Sequence, residues 1–156
     1  MKEFWVIFLI LGLSIVTVVS GFWPSLMANN KFLQAFVTHE ILSLLAVVMT
    51  ITFASVANIH LTIDRTQASI LDPKKRKRLQ DEVAQPLKNE TRSSAWLLFW
   101  ALALCVVLLI LKGSFSEQQN VVSFVHGIAI LILIVNGVVL YDIYETAFEL
   151  GGTHSS

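Results

Sequence analysis

Five polar side chains stand inside otherwise apolar stretches of this 156-residue chain: His39, Glu40, His60, His126 and Asn136. Ionisable groups in such runs are energetically expensive, and they face a partner, a cavity or the bundle interior. His39 follows Lys31 by eight residues, and His126 follows Asn120 by six. At 1.5 Å per helical residue, both imidazoles fall about 9–12 Å below the same polar flank. Two imidazoles at one depth on adjacent helices could bind a metal or ligate a haem iron from both sides, which would make haem b the expected cofactor. The simpler expectation is that each ring hydrogen-bonds to a neighbouring helix. Glu40 is turned about 100° from His39, so it is not an obvious partner for it.

A second pattern involves His39, Ser43, Ala46, Thr50, Phe53, Ala57, His60 and Asp64, which recur at alternating steps of four and three. At 100° per residue they share one wedge of a helix about 100° wide. Small and polar residues let helices approach closely in lipid, so the wedge reads as a packing seam, or as a pore-lining face in an oligomer. Asn136-Gly137 marks another expected site of close contact between helices. Cys105 is expected to be packed as a small hydrophobe. Nucleotide-binding glycine loops, zinc-protease His pairs and nucleophile elbows are absent from the sequence.

Most of these residues belong to four runs free of Lys, Arg, Asp and Glu, at 4–30, 41–63, 93–111 and 118–141. The runs predict spans at about 4–23, 37–63, 94–112 and 120–143. Each approaches the roughly 20 residues that cross a ~30 Å hydrocarbon core. Lipid leaves the backbone no outside hydrogen-bond partner, so these runs must be helical. The composition agrees, with 55% hydrophobic and 14% charged residues, against about 25% charged in soluble domains. The first run also has the look of a secretory signal. Its apolar core is long and its single Lys is offset by Glu3, so it is read as a retained helix. The expected fold is all-α: one integral membrane domain over 1–156, a four-helix bundle.

Orientation follows from charge. Eight of the eleven basic residues lie in the segment 64–93. The positive-inside bias places that segment, and with it both termini, in the cytoplasm. Trp5, Trp23, Trp96 and Trp100 fall near span ends, where interfacial aromatics sit. Asp72-Pro73 predicts a capped helix running to about Ala84, with Pro86 ending or kinking it. Lys74, Lys75, Arg76, Lys77 and Arg78 are expected to lie on anionic headgroups or to hold an anionic ligand. No aromatic residue interleaves them, which argues against nucleic acid. Asp142, Glu145 and Glu149 could meet this basic run electrostatically. The tail 151–156, with His154, is expected to be disordered.

The reading that follows is a small, non-enzymatic, multi-pass protein of a cell membrane, with compact loops favouring a prokaryotic one. It would self-assemble into an oligomer with a channel, transport or effector role, because four helices alone cannot enclose a water-filled pore. Two alternatives stand beside it. One is a b-type haem or metal electron-transfer subunit using His39 and His126. The other is an accessory or assembly subunit of a larger membrane complex.

Overall fold

The computed structural model describes the backbone of residues 2–152 and the side chains of residues 7–146. The side chains of Trp5 and Glu149, and all of His154, lie outside the described residues. Every element is helical, with no strand among the described residues: α1 (Lys2–Phe22), α2 (Pro24–Ala28), α3 (Lys31–Phe36), α4 (His39–Ser69), α5 (Pro73–Leu79), a π-turn (Gln80–Ala84), α6 (Gln85–Ser114) and α7 (Gln119–Gly152). Three helical stretches are long and apolar enough to cross a membrane: His39–Ser69, Pro73–Ser114 and Gln119–Thr146. The protein is thus a multi-pass membrane protein. The apolar stretch Ile7–Phe22 of α1 is shorter.

Local chemistry sets the helix ends. Pro24 occupies the first turn of α2, where its missing N–H leaves nothing unpaired. Asn30 caps α3 by accepting from the Leu33 N–H at 3.1 Å. Asp72 caps α5 by accepting from the Lys74 N–H at 2.9 Å. Pro86 does not end the helix. The Gln85 N–H instead reaches back five residues to the Gln80 carbonyl, and this wider turn carries the helix past the donor that proline lacks.

The chain divides into two compact units, Met1–Ala46 with Ala101–Asn136, and Val47–Trp100 with Gly137–Ser156. The core of the first unit takes Val16 from α1 and Ile41 and Leu45 from α4. Cys105 and Leu108 come from α6, and Val125, Ile128, Ala129 and Ile132 from α7. Between Val122 and Ala129 only Phe124 of α7 is exposed. Against it runs α1, in antiparallel register. A Cβ on Gly127 would lie 2.6 Å from Val16 Cγ1, and one on Gly12 would lie 2.7 Å from Leu131 Cδ1. Ser123 Oγ donates to Ser20 Oγ at 3.2 Å. The contact residues repeat every four positions on both helices, so two i±4 ridges interlock.

In the second unit the lower part of α4 buries Val56, Ile59 and Ile63, and α6 buries Thr91, Ala95 and Leu98. His60 Nε2 lies 3.1 Å from Thr91 Oγ1, and Lys88 pairs with Asp64. The basic side chains of α5 are all exposed, and Arg78 pairs with Glu82 at 2.9 Å. Among the described residues no ion pair joins Asp142 or Glu145 to this run.

Candidate functional site

The polar centre of the first unit is built on α7. His126 has no exposed surface. Its Nδ1 lies 2.9 Å from the Met27 carbonyl oxygen. A carbonyl only accepts, so Nδ1 carries a proton and the ring orientation is fixed. Nε2 is buried with no hydrogen-bond partner among the described residues. Buried polar atoms without partners are rare in folded proteins. An imidazole held by Nδ1–H on a backbone carbonyl, with Nε2 bare, is also how metal-ligating histidines are oriented. The short helix α2 supplies the carbonyl, which the Trp23-Pro24 break between α1 and α2 makes possible.

Lys112, at the end of α6, is half-buried and donates to the Gln34 and Val37 carbonyls at 3.2 and 2.8 Å. Those oxygens end α3, where the helix dipole favours a cation. Gln34 Nε2 in turn donates to the Ala28 carbonyl at 2.7 Å. Beside this knot lies an open cleft of about 470 Å³, lined by Thr38, His39, Lys112 and Ser116 among others. His39 is exposed there, in the first turn of α4. His126 is not in the cleft lining. Among the described residues, no three His, Cys, Asp or Glu side chains converge to hold a metal ion.

The small and polar face of α4 points out of both units. His39, Ser43 and Ala46 are exposed in the first, and Thr50, Phe53, Ala57 and Asp64 in the second. The face that α4 buries is a different one, formed by Ile41, Leu45, Thr52, Val56, Ile59 and Ile63. Ser43 Oγ donates to the His39 carbonyl at 3.0 Å, so its hydroxyl is satisfied within the helix. His60 is half-buried. Asn136 is buried and donates from Nδ2 to the Ile132 carbonyl of its own helix at 2.8 Å. Gly137 differs from expectation: no described atom lies within 4 Å of where its Cβ would be. The close glycine contacts fall instead at Gly127 and Gly12.

Several site residues carry no strong sequence signal. Ser20, Ser123 and Gly127 form the interlocked stripe, and their four-residue spacing is the sign that could have marked it. Lys112 reads as an ordinary flanking charge, and only the fold places it on carbonyls. No family model, curated protein or solved structure matches the chain.

Proposed function

We propose that the protein is a non-enzymatic membrane protein of four spans that self-assembles through the exposed face of α4. In the assembly it would serve a channel, transport or effector role. One observation carries this reading: the face of α4 richest in small and polar residues lies outside the chain's own core. In lipid such a face gains most from a second helix, through close van der Waals packing and interhelical hydrogen bonds. The interlock of α1 with α7 supports α1 as the fourth span. The basic bias of 64–93 supports a cytoplasmic loop and cytoplasmic termini in a cell membrane, with Lys74–Arg78 on anionic headgroups.

Cross-linking in membranes tests the assembly. Ala57→Cys, in a Cys105→Ser background, is expected to yield dimers or higher ladders with a bifunctional maleimide. Leu104→Cys, exposed on α6, serves as the control and should remain monomeric. Only monomer from both positions sinks the proposal.

The bare Nε2 of His126 favours a second reading, in which His126 ligates haem or another metal in an electron-transfer subunit. Its signature is a Soret band that is lost in His126→Ala. Purified protein with no such band, before and after haemin is added, would exclude the haem form.

A further inference from the structure

The second unit contains a groove of about 230 Å³ between α4 and α6. From α4 it is lined by Phe53, Val56 and His60, and from α6 by Arg92 and three apolar residues including Trp96 and Phe99. The two helices run antiparallel here, since His60 meets Thr91 while Asp64 meets Lys88. His60 and Arg92 therefore share one end of the groove. Phe53 and Phe99 share the other, seven residues away on each helix, or about 10 Å. The polar end faces the basic loop and the aromatic end faces the span interior.

We propose that this groove binds one anionic phospholipid, with its phosphate on Arg92 and an acyl chain over Phe53 and Phe99. The proposal rests on α4 and α6 crossing the bilayer, and it does not require the α4 assembly. Arg92 is exposed and makes no ion pair among the described residues, whereas Lys88 is committed to Asp64. A guanidinium presents a planar fork of donors that matches phosphate oxygens. The Thr91 hydroxyl lies within hydrogen-bond reach of the Leu87 and Lys88 carbonyls, at 3.0 and 3.2 Å. The same hydroxyl lies 3.1 Å from His60 Nε2, and that contact sets the His60 ring at the polar end. Trp96 stands half-exposed in the wall, where interfacial tryptophans meet headgroups. The exposed basic run of α5, in the same unit, concentrates anionic lipid nearby. A cationic end grading into an aromatic floor over ~10 Å matches the upper half of a phospholipid. A second apolar helix would leave Arg92 unpaired.

Quenching of Trp96 by brominated acyl chains tests the site. The full chain would carry Trp5→Phe, Trp23→Phe and Trp100→Phe and be reconstituted in phosphatidylcholine vesicles. Brominated phosphatidylglycerol should then reach half-maximal quenching at a mole fraction lower than that of brominated phosphatidylcholine by at least about fivefold, the selectivity that one basic residue near the surface supplies before the α5 run adds to it. Arg92→Gln should move the phosphatidylglycerol curve about fivefold towards the phosphatidylcholine curve, and being an exposed change it leaves the helix packing alone. Equal quenching in the parent protein, or a preference undiminished in Arg92→Gln, overturns the lipid site while leaving the membrane placement intact. No quenching by either lipid overturns the placement of α6 and the site with it.

Discussion

Gly127 and Gly12 sit in the same interlock, but their neighbours differ in stiffness. A methyl at residue 127 would lie 2.6 Å from Val16 Cγ1 and 3.0 Å from Cγ2. Both carbons hang on one branched Cβ, so neither moves away without the other. A methyl at residue 12 would meet Leu131 Cδ1 at 2.7 Å, which is the tip of a side chain with two torsions to adjust. Gly127→Ala is therefore expected to destabilise by about 1–3 kcal/mol, as overpacked cores do. Gly12→Ala should be close to neutral, because relief of the glycine helix penalty of ~1 kcal/mol offsets the adjustment. Thermal melts in mild detergent, followed by circular dichroism, should show a lower Tm for the first and little change for the second. Adding Val16→Ala to Gly127→Ala should recover most of the loss. An unchanged Tm in Gly127→Ala would mean that α1 does not pack on α7 here. At this scale the sequence was only partly legible. It marked His126 and Asn136 as polar residues in apolar surroundings, and both are buried. It favoured Gly137 over Gly127, because both glycines stand in apolar runs and only the partner helix tells them apart.

The pairing of α4 with α6 shows what elements add to residues. Thr91 is buried and hydrogen-bonded to His60, while the Lys88–Asp64 pair is more open, with side chains 24% and 58% exposed. Thr91→Val keeps the shape and leaves His60 Nε2 without its hydrogen-bond partner, so a loss of about 1 kcal/mol is expected. In a His60→Ala background the same change should be nearly silent. A double-mutant cycle on detergent melts would read this coupling, and a coupling of zero would show that the contact does not tie the helices. Asp64→Asn should matter less, since exposed ion pairs contribute ~0–1 kcal/mol. The start of α5 was readable because Asp72-Pro73 is a local signal. The passage through Pro86 was not. A proline announces a missing donor, but whether the helix breaks, kinks or widens into a π-turn depends on ties further along, such as Thr91 and Lys88.

At the scale of the whole molecule, helices and the approximate places of the three span-capable stretches could be read because a bilayer permits little else. Helix partners could not be read. Lipid is as apolar as leucine, so no hydrophobic stripe separates a buried face from an exposed one. That is why α7, with so few exposed positions between Val122 and Ala129, looks like its neighbours in sequence. Charge is the long-range signal that remains. The 64–93 segment holds eight basic residues, while the two other loops hold Lys31 and Lys112. If that asymmetry sets orientation, Ser69→Cys should resist a membrane-impermeant maleimide in intact cells, in a Cys105→Ser background. Ser116→Cys should react. Replacing Lys74, Lys75, Arg76, Lys77 and Arg78 with Gln leaves Lys2, Arg65, Lys88 and Arg92 on the cytoplasmic side, four basic residues against two. With the bias reduced to this, a fraction of the chains should insert inverted and expose Ser69 to the reagent. An unchanged labelling pattern in that variant would remove the run as the orienting signal. Its five exposed charges would then be left to their contact with anionic headgroups.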